Sequence, residues 1–295
     1  MTAKMPTMPE APTNSRPPPP AKARTESRTA ATTCALKLEP REVKALPPRL
    51  IVTAVEGWGK TTLGANAPDP FIMMAPDETG YDTLLQHELV PQVPADISDT
   101  WQNTLDWLDS LARDPQERKT LVLDAIGGYE RQCHEAVCAE HFDGDWGDKG
   151  FMAYHKGYDL AAGEWRKLLS RLDVLHNKGL IIVLLAHTRI KPFKNPVGPD
   201  YDRYVCDVHD KTWGPTHKWA DAVFFGTFFT SMANEKQAER TGKGKAIGGT
   251  RRVLYTERRA TWDAKNRFGM PESIDLLGGP SASWQEIWQH IKKKG

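Results

Sequence analysis

Ala54-Val55-Glu56-Gly57-Trp58-Gly59-Lys60-Thr61 has the spacing of a phosphate-binding P-loop: a small residue, four variable positions, then Gly-Lys-Thr. Arg49-Leu50-Ile51-Val52-Thr53 before it is a short apolar, β-branched run that reads as a strand, and Thr61 to Ala67 after it reads as a helix. A strand, a glycine-bearing turn and a helix start aim successive backbone N–H groups at one point, which suits phosphate oxygens. Gly57 and Gly59 let the backbone approach closely. Lys60 is placed for the β- and γ-phosphates and the Thr61 hydroxyl for Mg²⁺, so the pattern predicts ATP and Mg²⁺ as cofactors. Ala54, Val55, Glu56, Trp58 and Thr62 complete the nucleotide-binding segment, with Thr62 a neighbour and not a metal ligand. Ala54 stands where glycine is commoner, and Trp58 is a bulky occupant of a variable position.

Outward from this loop, apolar runs alternate with helical patterns. Pro70-Phe71-Ile72-Met73-Met74 is a second strand, ending beside Asp77 and Glu78. Ser98 is positioned to cap a helix whose Trp101, Leu105, Leu108 and Ala112 recur at helical spacing. Thr120-Leu121-Val122-Leu123-Asp124 is a third strand closed by Asp, the Walker B pattern. Tyr129 to His141 reads as a helix, residues 143–150 as a Gly/Asp-rich loop, and Tyr158 to Asn177 as the clearest helix. Leu180 to Ala186 is a continuous apolar strand ending at His187. Shorter strands are expected at Val223 to Phe229 and Arg252 to Thr256, separated by a mobile Gly/Lys-rich stretch from Thr241 to Thr250. Continuous strands joined by helices imply a mostly parallel sheet buried on both faces, an α/β fold with a β-rich C-terminal part.

The chain of 295 residues is 39% hydrophobic, enough for one large domain, expected over 48–280. Residues 1–47 contain Pro17-Pro18-Pro19-Pro20 and few large apolar side chains, so they are expected to form a flexible arm. Their proline density argues against the amphipathic helix of an organellar transit peptide. Residues 281–295 form a Trp-containing amphipathic helix whose terminal lysines suit the negative end of the helix dipole. No run of about eighteen apolar residues occurs, so no membrane span is expected. A net charge of +1 leaves any nucleic-acid contact to local patches. The four cysteines, Cys34, Cys133, Cys138 and Cys206, lack a CxxC pair and fit a reducing, cytoplasmic location. His134, Cys138 and His141 share a helical face, but without a fourth ligand packing is the expected role.

In an open parallel sheet, ligands bind at the carboxyl ends of the strands, and those ends carry the P-loop, Asp77 and Glu78, Asp124 and His187. Asp124 would hold the Mg²⁺ hydration shell together with Thr61. Glu78 is the candidate to polarise an attacking water, with Asp77 as the alternative, and His187 can sense the γ-phosphate by hydrogen bonding.

This order of motifs resembles the RecA-like ATPase core. Lys265-Asn266-Arg267-Phe268-Gly269 is identical to the KNRFG motif of bacterial RadA (Sms) recombination ATPases, and DnaB-type helicases carry a related Lys-x-Arg. The resemblance spans about Leu50 to Leu276. It implies that Lys265 and Arg267 act in catalysis by reaching a neighbouring subunit's nucleotide, from an outward-projecting strand, in a ring or filament. The four-cysteine zinc module and the protease-like domain of RadA are lacking. The compact core is more similar to phage-encoded Sak-type single-strand annealing ATPases, which implies single-stranded DNA as partner, a possible single-strand-binding protein and a bacterial host cytoplasm. The loop after His187, with Lys191, Phe193, Lys194, Tyr201, Arg203 and Tyr204, interleaves basic and aromatic residues as a strand of DNA requires, though an ordinary solvated loop has the same composition. A nucleotide-gated binding module with little hydrolysis is the alternative function. A small-molecule kinase would need an arginine-rich lid that the core does not clearly supply.

Overall fold

The protein is described by a computed structural model over residues 45–233 and 245–291. Among the described residues there is one ten-stranded sheet, in the order β10-β8-β7-β1-β5-β4-β2-β3, with β6 added to β5 and β9 to β7. The strands are β1 (Arg49–Ala54), β2 (Pro70–Met74), β3 (Ala95–Ile97), β4 (Thr120–Asp124), β5 (Ile181–Phe193), β6 (Tyr201–Cys206), β7 (Ala222–Ala233), β8 (Lys245–Tyr255), β9 (Lys265–Asn266) and β10 (Ser273–Leu276). The strands β1, β2, β3, β4, β5 and β7 pair in parallel, whereas β6, β8, β9 and β10 join antiparallel. The fold is α/β, a mostly parallel central sheet with helices on both faces and an antiparallel C-terminal part.

The parallel strands alternate two kinds of apolar side chain because successive Cβ atoms point to opposite faces. Ile51, Met73, Leu121, Leu123, Ile182 and Leu184 enter one core layer, while Leu50, Val52, Ile72, Met74, Val122, Val183 and Leu185 enter the other. The first layer packs under α3 (Trp101–Arg113), α4 (Ile126–Phe142), α5 (Lys156–Asn177) and α6 (Asp210–Trp219). The second is covered by α1 (Lys60–Ala65), α2 (Gly80–Gln86) and α7 (Ser283–Ile291). The C-terminal helix is therefore part of the core: Trp284 and Ile287 are buried with Leu50, Leu63 and Phe224. None of the described helices is long and apolar enough to cross a membrane.

Three local expectations are corrected. Thr100, not Ser98, caps α3, accepting a hydrogen bond from the Asn103 N–H at 3.1 Å, while Ser98 is buried and bonds Thr104. The stretch after His187 is no loop: β5 continues to Phe193 and turns back as β6, pairing Lys191 with Arg203 and Phe193 with Tyr201. Of the stretch expected to be mobile, residues 245–250 lie in β8 and residues 241–244 fall outside the described residues. Of the arm expected over residues 1–47, residues 1–44 fall outside the described residues, as do the terminal lysines. The chain is already engaged at Pro47 and Pro48, whose carbonyls accept hydrogen bonds from the His176 ring and from the Ile182 N–H.

Candidate nucleotide site

The P-loop leaves β1 at Ala54 and enters α1 at Lys60. Gly57 (φ 71°) and Gly59 (φ 105°) are left-handed, and a Cβ on Gly57 would meet nothing within 4 Å, so the turn stays open toward an incoming phosphate. The first N–H groups of α1 have no intrahelical partner. Trp58 turns away from this opening: it is 1% exposed, and a Cβ on Gly226 of β7 would come within 2.5 Å of its indole. Arg252 of β8 donates from Nε to the Trp58 carbonyl at 2.7 Å, and Pro280 lies 3.0 Å from where a Gly59 Cβ would be. Gly226, Arg252 and Pro280 thus brace the loop. No local sequence signal marks them, because each meets the loop only through tertiary packing.

Lys60 is buried, with Nζ donating to the Ala54 carbonyl at 3.2 Å. Burial lowers its pKa, against the opposing pull of Asp124, Glu78 and Glu56. The Thr61 hydroxyl donates to Asp124 Oδ2 at 2.7 Å, which brings the two proposed metal ligands together from α1 and β4. Asp124 is 3% exposed, and burial, reinforced by Glu78 and opposed by the Thr61 hydrogen bond and by Lys60, pushes its carboxyl up to about 6. A buried carboxylate beside a hydroxyl and an ammonium is a hard-oxygen donor set of the kind Mg²⁺ and phosphate take together. The residues therefore fit a Mg-nucleotide.

Glu78 and His187 meet at 3.1 Å, from His187 Nε2 to Glu78 Oε1. The register explains the contact: His187 stands opposite Ala54 on β5, and Glu78 follows Ala75, whose N–H donates to the Asp124 carbonyl. Asp77, the alternative base, forms an ion pair with Arg131 of α4. Thr62 is buried behind Thr61 and its carbonyl accepts from Asn66.

Lys265 and Arg267 lie elsewhere. Lys265 pairs with Val223 and Asn266 with Ala222, at the start of β7, whereas the P-loop adjoins Gly226. Over the 6 residues of β1 the two ends of the sheet are separated by roughly 17 Å. Lys265 does not project outward as expected: Nζ donates to the carbonyls of His217, Lys218 and Ala220, at 2.7, 3.1 and 2.6 Å, closing the C-terminus of α6. Arg267 is half exposed and reaches Asp221 at 3.4 Å, beside Arg49, which bonds Asp221 and Asp173. Burial works against the Asp221 carboxylate, but Arg49 outweighs it and holds the pKa below its ordinary value.

On the β5–β6 hairpin Lys191 and Lys194 are exposed, whereas Arg203 is buried, faces Asp263 at 3.4 Å and donates to the Trp262 carbonyl. Tyr204 packs on Phe225, and Phe193 on Tyr201. His134 is enclosed by the rings of Phe151, Tyr158 and His209, and burial lowers its pKa to about 4.

A family model described as an AAA domain (AAA_24) matches residues 46–268, and the chain belongs to this family. The flagellar accessory protein FlaH from Methanocaldococcus jannaschii is a similar solved structure, at 10% identity and a TM-score of 0.38, covering 78% of this chain and 84% of that one. A comparison with curated proteins finds no match. Family and fold together define a nucleotide-binding P-loop ATPase core.

Proposed function

We propose that this protein binds and hydrolyses Mg-ATP and works as an oligomer, ring or filament, on single-stranded DNA in phage-type recombination or annealing. The observation that carries the reading is the convergence of Lys60, the Thr61–Asp124 pair and the Glu78–His187 pair at the carboxyl ends of adjacent strands. Mg²⁺, when bound, supplies charge neutralisation at the phosphates. Lys60 would turn its ammonium from the Ala54 carbonyl to the β- and γ-oxygens. Thr61 and Asp124 would hold the metal, Glu78 accepts the proton of the attacking water, and His187 hydrogen-bonds the terminal phosphate.

The DNA side rests on the exposed lysines of the β5–β6 hairpin, a single-strand-binding protein being a possible further partner, and on the resemblance to annealing ATPases. A cytoplasmic location suits that chemistry. ATP hydrolysis measured with and without single-stranded DNA, across protein concentration, tests the whole reading: the rate per subunit should rise with both. Glu78→Gln should retain ATP binding and lose about 10²-fold or more in turnover. One observation favours a second reading, a nucleotide-gated binding module with little hydrolysis: Lys265 spends its ammonium on its own α6. A rate per subunit independent of concentration would select it.

A further inference from the structure

Tyr129 stands in the first turn of α4, in the core layer that also holds Ala75 and Ile126. It is 0% exposed, and its hydroxyl has no hydrogen-bond partner among the described residues. A buried hydroxyl without a partner is uncommon, because losing water without gaining a protein bond is unfavourable. Its setting is specific. A Cβ on Gly128 would come within 2.3 Å of the Ala75 Cβ, so this turn of α4 rests on the strand end from which Glu78 departs. The Glu78 N–H donates to the Ala75 carbonyl at 3.0 Å, and the Ala75 N–H to the Asp124 carbonyl at 2.8 Å. Burial, and then the charges of Asp124 and Glu78, raise the pKa of the Tyr129 phenol, so its hydroxyl remains a donor within the field of two carboxylates.

Each carboxylate already has a donor: Thr61 for Asp124 and His187 for Glu78. Asp124 and Thr61 would be engaged by the metal when it is bound, and the Thr61 hydroxyl already bonds Asp124. Glu78, by contrast, has His187 as its side-chain donor among the described residues, and would lose it if His187 turned to the terminal phosphate. We propose that Tyr129 is a positioning residue for the hydrolytic step, its hydroxyl taking over from His187 as the donor that fixes the Glu78 carboxylate against the attacking water. The inference rests on the reading of Glu78 as base and His187 as phosphate contact.

Tyr129→Phe removes one oxygen and leaves the ring in place. The free variant should melt at or above the wild-type temperature, bind ATP within about twofold of wild type and turn over about tenfold more slowly. The extra thermal stabilisation that a non-hydrolysable ATP analogue gives over ADP should shrink, since the hydroxyl gains its partner only when a terminal phosphate is present. Adding Tyr129→Phe to Glu78→Gln should cost no further turnover, because the hydroxyl acts through that carboxylate. Wild-type turnover in Tyr129→Phe beside an inactive Glu78→Gln would overturn this proposal alone. Normal turnover in Glu78→Gln would overturn the base assignment on which it rests. If the wild type turns over no ATP, the analogue-over-ADP difference decides: undiminished in Tyr129→Phe, it overturns the proposal.

Discussion

Two lysines at opposite ends of one sheet, Lys60 and Lys265, show how the same side chain is given different work. Both are partly withdrawn from water, and burial is the foremost cause lowering the pKa of each. Among the described residues Lys60 meets a single carbonyl, that of Ala54, which leaves two of its three N–H donors open to a ligand. Lys265 meets three carbonyls at the end of α6, which matches its donor capacity. Motif membership alone does not separate them. Hydrogen-bond saturation does: a cation with donors to spare at the carboxyl ends of parallel strands is ready for a ligand, and a saturated one at the other end is a clamp.

The sharpest way to break the comparison is to remove each ammonium in turn. Lys60→Ala should abolish ATP binding in a direct titration while the melting temperature stays near wild type, because the site end of the sheet depends little on that bond. Lys265→Ala should do the reverse, costing about 1–3 kcal/mol of unfolding free energy in denaturant titration through loss of the charge-assisted bonds that cap α6. Should Lys265→Ala keep full stability and lose turnover instead, the clamp reading fails and a contact with a neighbour's nucleotide takes its place. Arg267, half exposed and held at 3.4 Å, is the better candidate for that contact. Arg267→Ala should bind ATP and lose turnover, and mixing it with Lys60→Ala should restore part of the rate.

A smaller effect separates the cations of the hairpin. Removing Lys191 and Lys194 together should weaken single-strand binding and flatten the slope of log affinity against log salt by about 1.4, near 0.7 for each lost phosphate contact. Arg203→Ala should leave that slope unchanged and lower stability, since its guanidinium is buried against Asp263 and Trp262.

The smallest expected effect is on pH dependence, away from both ends. His134 has its pKa lowered from 6.5 to about 4, so the folded chain binds fewer protons there than the unfolded chain. Its contribution to stability is therefore complete above pH 6.5 and is lost as pH falls from there through about 4. Chemical denaturation at pH 7 and at pH 4.5 should show a smaller difference for His134→Phe than for wild type.

The nucleotide end was legible because its information is local. A strand, two glycines with positive φ and a helix start occupy consecutive residues, and the alternation of apolar side chains in β1, β4 and β5 follows from the twofold period of a strand. Asp124 and His187 could be placed by the same logic, as the first polar residues after buried runs. The hairpin was not legible: with Pro192, Asn195, Pro196, Gly198 and Pro199 in a short span, turn chemistry masked the pairing of β5 with β6 that cross-strand contacts enforce.

The sequence by itself determined the α/β class, the P-loop and the order of the acidic strand ends, since each is a matter of neighbouring residues and their period. Only the tertiary structure decided which partner each of two adjacent carboxylates takes. Asp77 and Glu78 are adjacent, yet one pairs with Arg131 of α4 and the other with His187 of β5. It likewise decided that Trp58 is buried over Gly226 under the hold of Arg252, and that Lys265 serves α6. These outcomes depend on which donors and acceptors remain unpaired once distant strands are in register, and no local pattern of residues encodes that.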